Sequence, residues 1–395
     1  MTISREPASS KFLLLMLAVA MSNFMGRGSY LLLGIGLCWF LLHYYSAKVP
    51  GSVVALLIFS CVYFLFTLTR QGIVNSMQIF VCPLLWLLGY NLPEARRTQG
   101  IFGVMMVLTL GMTAHGLLNY AYNVAMDVDM YGATKLDIWT GTGRAATGQA
   151  AEFTFLIASL FYLVLVQKNR WIKILSLVAF ALAMVYAILL GSRSFVVLAA
   201  ITVMIGILRH FGRKDQLKRG LAVVFVLLLS ALAIWIAYLR NAWGLRDYLE
   251  NSYMFRRNQL GQTFSAIMED GRFRLKRIYL SNLLTHPWGG GYIRENIAGN
   301  YAHDLWLDFF DEAGILSMLM LLVYTTLALI RILAVGADRR FHADERSALA
   351  CYGITIYAQF FAEPIWQGAP MLIYAFILID GMLARFLYTD SGVRG

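Results

Sequence analysis

Apolar runs, cut by glycine, proline and short charged clusters, follow one another along almost the whole chain. They fall near residues 11–26, 29–46, 52–69, 73–90, 100–119, 149–167, 171–190, 194–209, 219–239, 312–333, 347–362 and 370–388. Most are close to the roughly 20 residues an α-helix needs to cross a hydrocarbon layer. A spanning segment must satisfy its own backbone groups, so helix is the predicted conformation of each run. The pattern predicts an all-α polytopic membrane protein with about 12 transmembrane helices, a single membrane domain over residues 1–395. One long polar stretch, residues 240–303, interrupts the series between the ninth and tenth runs and reads as a largely helical loop subregion. The first run follows Arg5 and Lys11 as a signal peptide would, but no small-residue cleavage site ends it, and it reads as an uncleaved span.

Composition supports this reading. The chain is 59% hydrophobic and 14% charged, with a mean hydropathy of +0.64. Soluble domains carry about a quarter charged residues, so the apolar surplus here must face lipid. Membrane lipids are therefore expected partners. The net charge of +11 could signal nucleic acid, anionic lipid or an anionic substrate. The positions of the charges decide. Lys48, Arg96, Arg97, Lys168, Arg170, Arg213, Lys218, Arg331, Arg339, Arg340 and Arg385 lie in or beside short connections of one sidedness. By the positive-inside bias this side is cytoplasmic, both termini included, in a bacterial inner membrane. No nucleic-acid partner is expected. Cys38, Cys61, Cys82 and Cys351 all sit in apolar runs without a C-x-x-C pair, which reads as packing rather than a disulfide or zinc framework.

The long loop departs from that charge pattern. It holds Arg240, Arg246, Arg256, Arg257, Arg272, Arg274, Lys276, Arg277 and Arg294 against fewer acids, on the side that should be poor in positive charge. It reads either as a solvated amphipathic segment or as an electrostatic funnel for an anionic ligand at the outer boundary. Arg193, in Gly191-Ser192-Arg193-Ser194, is held between two apolar runs, either snorkelling or binding a phosphate. Arg272, Lys276 and Tyr279 share a helical face, Pro287 should end that helix, and the amides of Gly289, Gly290 and Gly291 could face an oxyanion. Asp304, Asp308 and Asp311 or Glu312 form an acidic stripe opening the next helix, where Asp304 suits a helix N-terminus. His303 stands just before it, and imidazole is the side chain best suited to take a proton near neutral pH. Asp127-Val128-Asp129 spells the D-x-D of some metal-dependent glycosyltransferases, but three residues carry little specificity. No H-E-x-x-H, Walker or G-x-S-x-G sequence is present.

In order, spacing and shared location, these pieces resemble the O-antigen ligase/polymerase family of bacterial envelope glycosyltransferases. The matching residues are Gly191-Ser192-Arg193-Ser194, Gly271-Arg272, Pro287-Trp288-Gly289-Gly290-Gly291, His303-Asp304-Leu305-Trp306-Leu307 and Glu312-Ala313-Gly314. Many members have Asn where this chain has Asp304. The resemblance implies a GT-C-like fold, a periplasmic active site, a donor glycan on undecaprenyl diphosphate, a lipid A-core acceptor, and no metal or cofactor. It implies His303 as catalytic base and Arg193 and Arg272 as diphosphate ligands, with Arg277 and Arg274 as alternatives to Arg272. Asp304, Glu312 and Gly291 would play supporting parts. O-antigen ligase is the expected activity, a surface-polysaccharide polymerase the alternative in the same class, and a membrane transporter the alternative outside it.

Overall fold

The computed structural model describes residues 8–128, 134–211, 235–251, 271–297 and 299–388, together with residues 225, 229, 232 and 233. The described chain is almost entirely helical. Its helices are α1 (Ala8–Met21), α2 (Gly28–His43), α3 (Gly51–Ser76), α4 (Val81–Asn91), α5 (Thr98–Ala125), α6 (Ala146–Ala151), α7 (Thr154–Phe161), α8 (Arg170–Leu189) and α9 (Arg193–Phe211). The later ones are α10 (Leu245–Asn251), α11 (Gly271–Ser281), α12 (Tyr292–Asn296), α13 (Leu305–Val335), α14 (Ala343–Ala362), α15 (Ile365–Gly368) and α16 (Pro370–Tyr388). Among the described residues, six helical stretches are long and apolar enough to cross a membrane, and α1 and α2 are shorter apolar helices. This is the architecture of a helical membrane protein. The predicted run 219–239 lies largely outside the described residues, as do Asp129, Arg256 and Arg257.

Glycines set the turning points. Gly51–Asn91 looks like one 41-residue apolar stretch, yet Gly72 breaks it with φ +76° and ψ 165°. The chain doubles back there: Ser60 Oγ reaches the Ile79 carbonyl at 3.3 Å and Thr67 Oγ1 donates to Ser76 at 2.9 Å. A second break, at Ala313 and Gly314, separates the first two turns of α13 from its long apolar leg. One element was not expected in an all-α chain. The loop after α5 forms a small antiparallel hairpin, β1 (Thr134–Leu136) with β2 (Gly143–Ala145).

α16 is the central helix, nearly every residue of it buried, whereas Leu175, Val178 and Leu182 of α8 are exposed as lipid-facing residues should be. α16 lies against α4 at backbone distance. A side chain at Gly89 would strike the Leu378 carbonyl, and one at Gly381 the Trp86 carbonyl. Small residues permit this approach where lipid offers no hydrophobic drive for helix association. The same contact buries Asp380. Its carboxylate accepts from Trp86 Nε1 at 2.7 Å, Tyr324 Oη at 3.0 Å and Arg331 Nη1 at 2.5 Å. Arg331 therefore does not sit in a connection, as its sequence position suggested, but turns from the last turns of α13 into the bundle.

Removing one partner of a buried pair leaves an uncompensated charge. Asp380→Leu is expected to destabilise the detergent-solubilised protein by about 3 kcal/mol. Thermal unfolding should show the loss, and adding Arg331→Met should recover most of it.

Candidate functional site

The connections 22–27, 190–192 and 363–369 and the described parts of 126–145 and 271–304 gather at one end of the bundle. α14 stops at Ala362, and Glu363 takes an extended conformation before Pro364, which disfavours further helix. This leaves the Glu363 side chain almost wholly buried. A buried carboxylate is stable only when paired and hydrogen-bonded. Three distant segments supply the partners. Ser194 Oγ, from the turn entering α9, donates to Oε1 at 2.5 Å. Arg272 Nη1, from α11, lies 3.0 Å from Oε1 and also donates to the Ala362 carbonyl at 3.0 Å. His303 Nδ1 stands 3.4 Å from Oε2, an ion-pair distance rather than a well-formed hydrogen bond. Burial opposes the charge on Glu363, but His303, Arg272 and Ser194 outweigh it and hold the carboxyl below its usual range.

His303 is positioned by what flanks it. Its backbone is left-handed, at φ +54°, which few residues other than glycine adopt without strain. On one side the Ala302 amide donates to Asp308 Oδ1 at 2.9 Å. On the other, Asp304 caps α13, accepting from the amides of Trp306 at 3.2 Å and Leu307 at 3.3 Å. Lys276 adds to the clamp: it lies 3.3 Å from Asp304 Oδ2 and donates to the Phe361 carbonyl. Arg272, Lys276 and Tyr279 do share one face of α11, as their spacing predicted; Tyr279 is buried and donates to the Asn300 carbonyl at 2.8 Å.

Several expectations need correction. The glycine amides do not present an oxyanion cradle. Gly291 N donates to the Asp311 carbonyl at 2.6 Å and Gly290 N approaches that of Glu312 at 3.4 Å, while Ile315 N donates to the Pro287 carbonyl at 2.8 Å. The turn thus satisfies backbone groups that the break in α13 would leave without intrahelical partners. Gly291 also makes room for Arg70, whose guanidinium a side chain there would strike. Pro287 does not end α11, which stops at Ser281. Glu312 is engaged away from the Glu363 cluster. It pairs with Arg294 Nη1 at 2.6 Å and Arg70 Nη1 at 3.5 Å, and accepts from Gln71. Nor is the described part of the loop an unopposed positive surface. Arg272, Lys276 and Arg294 are neutralised by Glu363, Asp304 and Glu312, and Arg246 pairs with Glu250 at 2.9 Å. Arg274 and Arg277 are exposed and make no ion pair among the described residues. Arg193 is partly buried at the first position of α9, next to Ser194.

Glu363 is what sequence reasoning missed, and Ser194 was named there only within its motif, without this contact. An acid directly after an apolar run, at a membrane boundary, was the available signal. No protein-family model matches the chain, and no curated protein matches it.

Two outcomes follow from this geometry. Gly314 has φ +79°, and a Cβ there would lie 2.5 Å from the Pro287 carbonyl. Gly314→Ala should cost about 2 kcal/mol or more, read as a lower midpoint in thermal unfolding. Glu363 has a lowered carboxyl pKa in the folded state. Its stabilising contribution is full above the ordinary glutamate value of about 4.3 and is lost as pH falls through the lower folded value. Thermal unfolding across acidic pH should show that loss in the parent protein and a flatter profile in Glu363→Gln.

Proposed function

We propose that the protein is a glycosyltransferase acting on a glycan carried by a lipid-linked diphosphate, with His303 as the base and Glu363 as its positioning partner. One observation carries this reading: the segments bearing Ser194, Arg272 and His303, far apart in the chain, meet at one buried carboxylate. With Nδ1 directed at Glu363, His303 keeps Nε2 for substrate, the arrangement by which a carboxylate sets an imidazole's tautomer and orientation.

In the reaction, the acceptor hydroxyl oxygen attacks the anomeric carbon of the donor sugar and its proton passes to Nε2 of His303. The bond from that carbon to the diphosphate oxygen breaks, and its electron pair leaves with the diphosphate. Cationic side chains stabilise the departing charge from fixed positions. Arg272 does so from the rim of the site, where its side chain is 27% exposed; Arg277 and Arg193 lie on the same two segments. A diphosphate is a competent leaving group once neutralised, so the chemistry calls for no metal or cofactor. The proposed substrates are an undecaprenyl-diphosphate-linked O-antigen donor and a lipid A-core acceptor, and the proposed setting is the periplasmic face of an inner membrane with both termini cytoplasmic. A transporter would want an ionisable group available to a pathway through the bundle, whereas Asp380 is enclosed by Arg331, Trp86 and Tyr324.

Purified protein, given donor and acceptor with chelator present, should place glycan on lipid A-core. His303→Ala should abolish transfer while retaining donor binding, and full retained activity would sink its role as base. Arg272→Ala should slow transfer by about a hundredfold, on the order of 3 kcal/mol in the barrier. Lengthened chains on undecaprenyl diphosphate would instead identify a polymerase.

A further inference from the structure

A polar cavity of about 250 Å³ opens at the same end of the bundle, between α1, the start of α2, α5, the β-hairpin and the start of α16. Its wall includes four ionisable side chains that play no part around Glu363. His115 lies between two carboxylates, Nδ1 at 3.0 Å from Glu152 and Nε2 at 3.1 Å from Asp137. Arg144 spans the same two acids through Nη1, at 2.7 Å from Asp137 and 2.9 Å from Glu152. Its Nη2 donates to the Gly368 carbonyl at 2.6 Å. Asn119 donates to Glu152 at 3.2 Å, and Thr140 to Asp137 at 3.3 Å.

This wall is internally compensated. Two basic groups face two acidic ones, so it presents ordered dipoles rather than an excess of one sign. A charged ligand would meet no unopposed counter-charge. What the cavity does offer is hydrogen bonding. Gln367 lines it, and neither its amide nitrogen nor its amide oxygen has a hydrogen-bond partner among the described residues, although both atoms are buried. Buried polar side-chain atoms are ordinarily paired, so an exception at a cavity wall points to a ligand that completes it. The Thr140 and Thr142 hydroxyls stand at the rim. A rotation of the Gln367 side chain would turn this amide donor and acceptor into the cavity, where side by side they match two neighbouring hydroxyls or a hydroxyl and an acetamide. The volume is a little below the roughly 300–1,000 Å³ of pockets for drug-sized ligands. That suits one sugar ring and not a chain of them.

The cavity and the Glu363 cluster are joined through a short segment. Gln367 follows Glu363 by one turn, α15, and Arg144 holds the end of that turn through Gly368. Gly148 packs on Gly368 at backbone distance, which fixes the same point from α6.

We infer that this cavity is a saccharide subsite that takes a single uncharged sugar ring of the glycan, with Gln367 as its recognition residue. The inference rests on the glycosyl-transfer reading for which substrate the ring belongs to, but the binding itself does not require catalysis. Full-length protein in nanodiscs can be tested by saturation-transfer NMR with methyl glycosides of hexoses and of N-acetylhexosamines. At least one glycoside should bind saturably. Gln367→Leu should weaken it by about tenfold or more, as loss of a buried hydrogen-bonding pair predicts. Thr142→Trp, at the exposed rim, should block binding while leaving Gln367 and all four charged side chains in place, which guards against a folding defect in the first variant. Absence of saturable binding to the parent protein, or equal binding by both variants, overturns the inference. If the parent protein transfers glycan but binds no glycoside, only the subsite falls. If it binds glycoside but transfers nothing, the subsite stands and the transfer reading falls.

Discussion

A single buried carboxylate, Glu363, is the constraint around which this end of the molecule is arranged. Its burial would be prohibitive alone, and the chain meets the requirement with partners from three places: Ser194 at the start of α9, Arg272 on α11 and His303 before α13. None of these segments is near another in sequence. Each is brought in because an ionised group without partners in a low-dielectric setting costs several kcal/mol, more than most single packing contacts supply. The position of the candidate base is thus tied to the same interaction that closes the fold.

A second fastening line runs along the first turns of α13. Asp304, Asp308, Asp311 and Glu312 each hold a different part of the preceding segment: Lys276, the Ala302 amide, the Arg294 amide and the Arg294 guanidinium. Gly314 allows these turns to diverge from the long apolar leg, and the turn at Pro287–Gly291 caps the break. The acidic stripe is a set of anchors, and Lys276 and Arg294, two of the basic residues that looked like a funnel, are their counterparts. A left-handed His303 is held between two of these anchors, the kind of over-determined strain that persists where the surrounding structure imposes it.

The two polar centres at this end differ in what they leave available. The Glu363 cluster has His303 and Arg272 partly exposed, at 24% and 27% of their side chains, so reacting groups can reach them. Around His115 the charges are consumed among themselves, and only neutral hydrogen-bonding capacity remains at Gln367. Under the proposed glycosyl transfer, a proton-accepting histidine beside a neutral polar recess would suit chemistry on a carbohydrate, since sugars are recognised mainly through hydroxyls.

The helical membrane architecture was legible in the apolar runs, because a chain in hydrocarbon must satisfy its backbone internally. Also legible in the sequence were the turning point near Gly72, the shared face of Arg272, Lys276 and Tyr279, and the capping role of Asp304, all of which are local. The tertiary structure alone decided which acid each base would meet. Arg331 reads as a connection residue until Asp380 is seen beside it, Glu312 reads as one member of an acidic stripe until Arg294 and Arg70 are seen to occupy it, and Glu363 carries no periodic signal at all. The beginning of the glycine turn was legible, but its amides looked free because the break they serve lies more than twenty residues downstream. Helix formation is set within a turn or two of backbone, whereas ion pairing is a through-space choice made among whichever charges packing brings within a few ångströms.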